Sequence, residues 1–255
     1  MTTKHGIKRV ALITGAAKGI GAAIADLLAQ QGMHVLIGDI DETQAQEKAD
    51  ALTGAGLEAS ALRIDVGDPA SVAAAFDVID RRCGRCDIVV NNAGIAKTFP
   101  FVDFPLDSWR AHLAINVTGV LLCAQYGARR MMRERWGRII NIASVAGMRA
   151  VGVGRTGYGT SKAAVIGLTR QMAVELAEHG ITANAVAPGP VDTPMTRVLH
   201  SDEFRQSYTD AIPMNRYGTP EEIAAAVAYL ASDAAAYVTG IALPIDGGFL
   251  ASGAR

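Results

Sequence analysis

The sequence has few aromatic residues and almost no net charge. Phe, Trp and Tyr make up 5% of the 255 residues, and the formal net charge is −1. Nucleic-acid binding needs a basic excess for the phosphates and often aromatic rings for the bases, so we expect no nucleic-acid partner. The sequence has no uncharged apolar run of about 18 residues that could span a bilayer and no apolar signal-peptide segment at its start. We therefore expect a cytoplasmic protein without a membrane partner.

Cysteine is scarce as well. Three cysteines are too few for a disulfide framework, which agrees with a reducing compartment. Cys83 and Cys86 form a C-x-x-C pair, but no histidine spacing supplies the second ligand pair of a zinc site. A redox pair would follow a strand, whereas this pair precedes one. We interpret it as two thiols in a helix-to-strand turn and Cys123 as a core residue, and we predict no metal site; a redox or metal function is a weaker alternative.

Apolar strand-like runs alternate with helical patterns, and half of the residues are hydrophobic, which is enough for a large core. Strands are predicted at Val10–Ile13, Val35–Ile37, Ala61–Ile64, Ile88–Val90, Arg138–Ile142, Thr182–Ala187 and Ile241–Ile245. Helices are predicted at Ile20–Gln31, Glu42–Leu52, from Asp68-Pro69 onward, at about Ser108 to Arg135, at Tyr158–Glu178 and at Thr219–Ala231. This alternation predicts a mainly parallel sheet covered by helices on both faces.

Between the last two helices, residues 188–218 carry four prolines and no clear periodicity, so we expect an irregular stretch. Long irregular segments in compact domains usually form lids or binding loops. We therefore predict a single dinucleotide-binding and catalytic domain over residues 1–255, with a substrate lid at about 190–217.

A glycine-rich turn, Thr14–Gly21, follows the first predicted strand and opens the first helix. Gly15, Gly19 and Gly21 would permit a tight turn, close approach of a pyrophosphate and close packing of the helix on the strand. The phosphates would meet the free N–H groups and the positive end of that helix. The turn therefore predicts a dinucleotide site, in which Lys18 is either a cofactor contact or an exposed turn residue.

Asp39 ends the second predicted strand. An acid at this position of a dinucleotide-binding fold bonds the adenosine ribose hydroxyls and repels a 2′-phosphate. This predicts NAD in preference to NADP, although Lys18 could reach an added phosphate. Asp65-Val66, after the third strand, is placed either to meet adenine or to form a simple turn, and Asn91–Gly94 offers amide bonding together with a turn against the cofactor.

Tyr158 and Lys162 are four residues apart, a spacing that puts both side chains on one helix face. Tyrosine titrates near pH ~10, and a neighbouring lysine cation or an oxidised nicotinamide would favour its phenolate. Such a tyrosine could exchange a proton with an alcohol or ketone while hydride moves. Ser144 ends the fifth predicted strand, so it would face the same crevice and hold the substrate oxygen.

The order of these motifs resembles the short-chain dehydrogenase/reductase family over nearly the whole chain. The resemblance rests on Thr14–Gly21, Asn91–Gly94, Asn116, Ser144, Tyr158, Lys162 and Pro188-Gly189. It implies one doubly wound Rossmann-type α/β domain with a seven-stranded parallel sheet. It also implies a homotetramer, in which the helices that hold Asn116 and Tyr158 pack between subunits.

The resemblance further implies a role for each matching position. Tyr158 would be the general acid and base, Lys162 would lower its pKa and hold the nicotinamide ribose, and Ser144 would orient the substrate. Asn116 would fix a water in a proton relay that reaches Lys162. The expected cofactor contacts are Gly15, Lys18, Gly19, Ile20, Gly21, Asp39, Ile40, Asp65, Val66, Asn92, Ala93, Gly94, Tyr158, Lys162, Pro188, Gly189, Val191 and Thr193.

The substrate pocket is predicted between Ala96–Phe99, the loop Ala146–Thr156 and the lid Met195–Asn215. The loop is slightly longer than is usual in the family, so the pocket shape is expected to differ. Arg155, Arg197 or His200 could meet a carboxylate or polyol, or simply be solvated.

The leading hypothesis is an NAD(H)-dependent oxidoreductase that interconverts a secondary alcohol, such as a polyol, sugar or hydroxy acid, and its ketone. The alternatives are an NADPH-dependent 3-oxoacyl-carrier-protein reductase and a non-catalytic NAD-binding sensor or scaffold.

Overall fold

Seven parallel strands form the centre of the molecule in this computed structural model, which describes Gly6 and residues 8–252. The strands are β1 (Val10–Thr14), β2 (His34–Asp39), β3 (Ala59–Arg63), β4 (Ile88–Asn91), β5 (Gly137–Ile142), β6 (Ile181–Pro188) and β7 (Ala242–Ile245). They lie in the order β3-β2-β1-β4-β5-β6-β7, which confirms the predicted sheet. The order reverses between β1 and β4, and ligands bind outside the carboxyl ends of strands at such a point.

Helices cover both faces of this sheet. They are α1 (Gly19–Gln30), α2 (Glu42–Gly54), α3 (Pro69–Cys83), α4 (Leu106–Leu113), α5 (Gly119–Glu134), α6 (Thr156–Leu176), α7 (Pro194–Leu199), α8 (Asp202–Ala211) and α9 (Pro220–Ala231). Alternate strand residues face opposite layers: Leu12 packs in the layer of α3, α5 and α6, and Ile13 packs in the layer of α1, α2 and α9. The sequence is therefore apolar on both faces of its central strands, as a buried parallel sheet requires.

Side chains cap several of the helices that leave the sheet. Asp41 accepts a hydrogen bond from the Gln44 N–H at the start of α2, and Asp68 does the same for the Ala70 N–H at α3. Thr219 and Glu222 form a capping box at α9. These caps satisfy first-turn N–H groups that would otherwise lack partners.

The segment predicted to be irregular, residues 188–218, contains two helices, so that prediction was wrong. Thr193 and Thr196 form a capping box at α7, with Pro194 in the first turn, and Ser201 caps α8 through the Phe204 N–H. Proline at a first helical position starts a helix, because the missing N–H has no intrahelical acceptor there. Pro194 is therefore a helix start and not an interruption.

The long helix expected at about Ser108 to Arg135 is interrupted. A π-helical turn, Ala114–Thr118, joins α4 to α5 and contains the buried Asn116. Turns of this kind inside α-helices often lie at functional sites, and side-chain periodicity does not reveal them.

The C-x-x-C pair lies in a helix-to-strand turn, as the sequence predicts. Cys83 ends α3, Gly84 follows with a left-handed φ of 66°, and Cys86 is buried before β4. Burial raises the pKa of all three thiols, that of Cys123 to about 12. These thiols are therefore protonated and poorly nucleophilic at neutral pH.

Within the described residues, no helix has both the length and the apolar character needed to cross a bilayer.

Candidate active site

A cavity of about 460 Å³ opens at the carboxyl ends of β1 to β6. Because parallel strands end at one edge of the sheet, residues distant in sequence meet there. The predicted residues that line it are Gly15, Lys18, Gly19, Ile20, Asp39, Ile40, Asp65, Val66, Asn92, Ala93, Gly94, Ser144, Tyr158, Lys162, Pro188, Gly189, Val191 and Thr193. Gly21 and Asn116 are the two predicted site residues outside this lining.

The glycine-rich turn lies against the end of β4. Gly15 has a φ of 64°, and a Cβ there would lie 3.0 Å from the Cα of Ala93. A Cβ at Gly21 would lie 2.3 Å from the carbonyl oxygen of Gly15, so Gly21 allows α1 to pack on the turn. Gly21 therefore shapes the glycine-rich turn, although it does not line the cavity itself.

The N-terminus of α1 faces the cavity and differs from the capped helices described above. Its N-cap residue, Lys18, makes no side-chain cap hydrogen bond, and no acidic residue lies in its first turn. Gly19 and Ile20 of that turn line the cavity. First-turn N–H groups without a side-chain cap, together with the positive end of the helix dipole, suit an anionic group such as a pyrophosphate.

Acidic and apolar residues form the end of the cavity near β2 and β3. The Asp39 carboxylate accepts from the Ala17 N–H at 3.1 Å and from the Asp41 N–H at 3.2 Å. Ile40 beside it is 60% exposed, and the Asp65 carboxylate accepts from the Gly67 N–H at 2.9 Å. A fixed carboxylate beside an apolar wall fits an adenosine, so the residues from Gly15 to Asp65 fit a dinucleotide.

Asn92 links β4 to the glycine-rich turn. Its Nδ2 donates to the carbonyl oxygens of Thr14 at 3.0 Å and Gly15 at 2.9 Å. The Thr14 hydroxyl accepts from the N–H groups of Asn92 and Ala93, each at 3.1 Å. Asn92 therefore holds the glycine-rich turn in place. Thr14 supports the same turn, a role that the sequence reasoning missed.

A buried chain of amides fixes α6 against the sheet. Asn91 Nδ2 donates to Asn141 Oδ1, and Asn141 Nδ2 donates to the Thr169 hydroxyl, both at 2.8 Å. These bonds join β4, β5 and α6. Since Tyr158 and Lys162 stand on α6, the chain sets their position relative to the strand ends.

Ser144 and Tyr158 meet at the cavity wall. The Ser144 hydroxyl oxygen accepts from the Ala146 N–H at 3.1 Å, which leaves its hydrogen available to the Tyr158 hydroxyl. Burial raises the pKa of Tyr158, while the hydrogen bond from Ser144 and the charge of Arg155 act in the opposite direction. The phenol is therefore protonated at neutral pH and able to donate.

Lys162 was expected to be the group that makes this phenol acidic, and that role stays a prediction. Lys162 Nζ lies 5.7 Å from the Tyr158 ring centroid and donates to the Ile142 carbonyl oxygen at 2.6 Å. The groups that lower the Tyr158 pKa are Ser144 and Arg155. In addition, burial lowers the pKa of Lys162 itself to about 8.

The Lys162→Met variant is expected to be more stable than the wild type. A lysine pKa lowered from 10.5 to about 8 corresponds to a cost of about 3 kcal/mol for the buried charge at neutral pH. Loss of the hydrogen bond to the Ile142 carbonyl destabilises the variant by about 1 kcal/mol. We expect a net gain of about 2 kcal/mol in the free energy of unfolding at neutral pH, measured by urea denaturation.

The size of this stability difference depends on pH. The folded protein releases the Lys162 proton at a lower pH than the unfolded chain, so the wild type regains stability as pH rises from about 8 towards 10.5. The gap between variant and wild type should narrow over that range. A gap that stays constant would show that the buried charge is not its source.

Asn116 holds the π-helical turn against the cavity wall. Its Oδ1 accepts from the Ile95 N–H, and its Nδ2 donates to the Ile95 carbonyl and to the Ser161 hydroxyl, each at 2.9 Å. The Ser161 hydroxyl in turn donates to the Tyr158 carbonyl at 2.7 Å. Asn116 therefore positions the loop after β4 and the helix that carries Tyr158, through side-chain bonds.

Of the three basic residues considered for the substrate pocket, two line the cavity: Arg155 and His200. Arg197 is exposed, and its guanidinium pairs with Asp192 at 2.9 Å.

Several lining residues were missed by the sequence reasoning. They are apolar, namely Ile64, Ile95, Ile115, Ile142, Ala143 and Val145. Thr196 and Tyr208 also line the cavity and lie in the stretch Met195–Asn215 that was predicted as a pocket wall. Tyr208 lies in α8 and stacks on Phe249, with ring centroids 5.8 Å apart.

Comparisons with known proteins agree with this site. A family model described as enoyl-(acyl carrier protein) reductase matches residues 15–250. The cis-4-hydroxycyclohexanecarboxylate dehydrogenase of Sinomonas cyclohexanicum is 45% identical over 246 residues, which cover 96% of this chain and 97% of that protein. The 3-oxoacyl-(acyl-carrier-protein) reductase FabG of Aquifex aeolicus strain VF5 is 40% identical over 241 residues, which cover 94% of this chain and 96% of that protein.

A solved structure extends the likeness to three dimensions. The gluconate 5-dehydrogenase from Burkholderia cenocepacia J2315, in complex with NADP and tartrate, matches with a TM-score of 0.91 and 37% identity, covering 95% of each chain. These matches show that the chain is an NAD(P)-dependent oxidoreductase acting on CH–OH groups and that it belongs to the short-chain dehydrogenase/reductase family.

Proposed function

We propose that the protein interconverts a secondary alcohol and its ketone, with NAD(H) as the preferred cofactor. The observation that carries this proposal is that Ser144 and Tyr158 lie together at the wall of a cavity that also contains the uncapped N-terminus of α1. The two hydroxyls supply polar donors where a substrate oxygen can reach both. A protein that only bound NAD would have no use for such a pair.

The proton transfer follows from the state of Tyr158. In ketone reduction, the substrate oxygen accepts hydrogen bonds from Ser144 and Tyr158, and the protonated phenol gives up its proton as the carbonyl becomes an alcohol. A bound reduced nicotinamide supplies the hydride. In alcohol oxidation, Tyr158 must first be deprotonated so that it can take the proton of the alcohol. Lys162, at the wall beside Tyr158, is placed to hold the nicotinamide ribose.

The preference for NAD rests on Asp39. Its carboxylate is held by two backbone N–H groups at the cavity wall, where it can accept from ribose hydroxyls and would repel a 2′-phosphate. The structure of the gluconate 5-dehydrogenase contains NADP, so NADP use occurs among similar proteins. Lys18, which also lines the cavity, is the residue here that would favour it.

A hydroxy acid is the substrate class that two of the similar proteins suggest. One is named for cis-4-hydroxycyclohexanecarboxylate, and another for gluconate. Reduction of 3-oxoacyl-carrier-protein is the second candidate, favoured by the identity of 40% to FabG. We further propose a cytoplasmic homotetramer, in which each chain acts as one catalytic domain over residues 1–255 with its lid at about 190–217.

A spectrophotometric screen tests this function. Hydroxy acids, polyols and a 3-oxoacyl thioester are offered with NAD(H) and NADP(H), and oxidation or reduction of the nicotinamide is followed. We expect turnover of a hydroxy acid with NAD. Turnover confined to the thioester with NADPH would favour the second candidate. Absence of turnover throughout, with tight NAD binding, would favour a sensor or scaffold.

The two reaction directions are expected to differ in their dependence on pH. Burial keeps the pKa of Tyr158 above its ordinary value, so the phenolate fraction rises about tenfold per pH unit below that pKa. From about pH 6 to 8, kcat for alcohol oxidation should rise with a logarithmic slope of about one, while kcat for ketone reduction stays nearly flat. Parallel profiles in both directions would show that Tyr158 does not exchange the proton.

A further inference from the structure

Arg155 is a cation at the catalytic end of the cavity, and no acidic residue in the described part of the chain pairs with it. Its Cζ lies 5.9 Å from the Tyr158 ring centroid. Among the described residues, the one hydrogen-bond partner of its guanidinium is the Nε2 of His200, at 3.4 Å. A guanidinium has five N–H donors in a fixed fork, so most of its donors are available to a ligand.

The other arginines nearby differ from Arg155 in this respect. Arg197 and Arg205, both in the lid, donate to the two oxygens of Asp192 at 2.9 and 3.1 Å. Arg149 lies over the Phe249 ring, is exposed and does not line the cavity. Arg155 is therefore the arginine whose charge faces the reacting groups.

Charge is distributed unevenly along the cavity. The acidic residues that line it, Asp39 and Asp65, lie at the ends of β2 and β3. Arg155 precedes α6, beside Tyr158, at the opposite side of the strand ends. An anionic substrate would therefore be drawn to the catalytic side and repelled from the adenosine side.

His200 holds the guanidinium from the lid. Its Nε2 accepts from Arg155, so its Nδ1 carries the hydrogen that it donates to the Tyr217 hydroxyl at 3.1 Å. This arrangement requires neutral imidazole. Burial and the charges of Arg155 and Arg205 lower the His200 pKa, which keeps the ring neutral. An edge-on contact with Phe204 and stacking on Tyr208 fix its plane.

From this geometry we infer that Arg155 binds the carboxylate of a small hydroxy acid whose alcohol carbon reacts at Tyr158, and that His200 is a positioning residue for the Arg155 guanidinium. The inference rests on the proposed function and narrows its substrate class. A carboxylate can accept two N–H groups from one guanidinium, while the alcohol of the same molecule lies a few bonds away at Tyr158. A 3-oxoacyl thioester offers no carboxylate for this contact.

Paired substrates that differ only in charge test the inference. The pairs are cis-4-hydroxycyclohexanecarboxylate with its carboxamide, and 3-hydroxybutyrate with 3-hydroxybutyramide. We expect Arg155→Gln to lower the acid-to-amide ratio of kcat/KM by about 10- to 100-fold, mainly through the KM of the acid, since one charged hydrogen-bonding partner is lost. Arg155→Lys should restore part of the ratio.

The ratio separates this role from the effect of Arg155 on the Tyr158 pKa, because a changed pKa alters both members of a pair equally. Arg197→Gln is the matched control and should leave the ratio unchanged. His200→Phe should raise the KM of the acid but not of the amide, and His200→Gln should restore it. An acid-to-amide ratio equal in the wild type and Arg155→Gln would overturn the inference.

A binding measurement separates failure of this inference from failure of the proposed function. Calorimetry with NAD-saturated protein compares cyclohexanecarboxylate with cyclohexanecarboxamide. The wild type should bind the carboxylate at least about tenfold more tightly than Arg155→Gln does, with no such difference for the amide. If neither substrate pair is turned over and this binding difference is seen, the proposed hydroxy-acid substrate class fails and the Arg155 site stands. Equal binding by both proteins would overturn the site.

Arg155→Gln is suited to this test because the Arg155 side chain makes no cap hydrogen bond to α6. The start of the helix therefore does not depend on it. A melting temperature equal to that of the wild type, in both Arg155 variants, confirms that the comparison is between folded proteins.

Discussion

The Tyr158→Phe variant is expected to show kcat lowered by about 10³-fold in both directions, since loss of a general acid or base costs about 10²- to 10⁴-fold. The substitution removes one oxygen and keeps the ring, which lines the cavity. Cofactor affinity, measured by fluorescence titration with NADH, should change less than about threefold, because the contacts at α1 and Asp39 are untouched. The effect should therefore appear in kcat and not in cofactor binding.

Tyr208→Phe is the matched control for this variant. Tyr208 also lines the cavity and packs on Phe249 through its ring, so removal of its hydroxyl keeps the packing. We expect its kcat to stay within about tenfold of wild type, as for a residue outside the proton transfer. Equal losses in the two variants would mean that Tyr158 contributes to the shape of the cavity and not to chemistry.

The second large effect is expected at Asp39. With the wild type, kcat/KM for NAD should exceed that for NADP by at least about 100-fold, because a carboxylate a few ångströms from a 2′-phosphate costs several kcal/mol. The Asp39→Asn variant should raise kcat/KM for NADP by about 10- to 100-fold, since the repulsion is removed. It should lower kcat/KM for NAD by about tenfold, since charge-assisted bonds to the ribose are weakened.

Asp41→Asn is the control for charge near this site. Asp41 caps α2 through the Gln44 N–H and does not line the cavity. Asparagine is an equally good N-cap, so the NAD-to-NADP ratio should stay within about threefold of wild type, given the screening of exposed charge. A wild type that prefers NADP would contradict the role of Asp39. In that case Lys18→Met should reduce the use of NADP.

Much of the fold could be predicted from local pattern. The central strands are apolar on both faces. Asp68-Pro69 and Thr219–Glu222 indicate helix starts, and the structure shows that these residues cap their helices. The site residues at strand ends could be placed together because parallel strands end at one edge. Helices α7 and α8 could not be predicted in this way. Their sequence signals are short capping motifs in a proline-containing stretch, and neither helix has a long apolar stripe.

The chemistry of the site was less predictable than its composition. Spacing put Tyr158 and Lys162 on one helix face, but only the structure shows Lys162 Nζ bonded to the Ile142 carbonyl. Spacing also could not distinguish Arg155 from Arg197, since both lie in irregular or lid segments. In the structure, Arg197 pairs with Asp192, whereas Arg155 lines the cavity. Burial and long-range pairing decide these questions, and neither is local in sequence.

The role of the Tyr158 phenol is tested most directly by a single turnover. The wild type and Tyr158→Phe, each in excess over NADH so that the NADH is bound, are mixed rapidly with an excess of a ketone substrate identified in the screen, and loss of the NADH signal is followed at neutral pH. We predict that the wild type oxidises its bound NADH in one fast phase, while the variant, with NADH still bound, does so about 10³-fold more slowly. Equal rates of NADH oxidation in the two proteins would contradict proton donation by Tyr158.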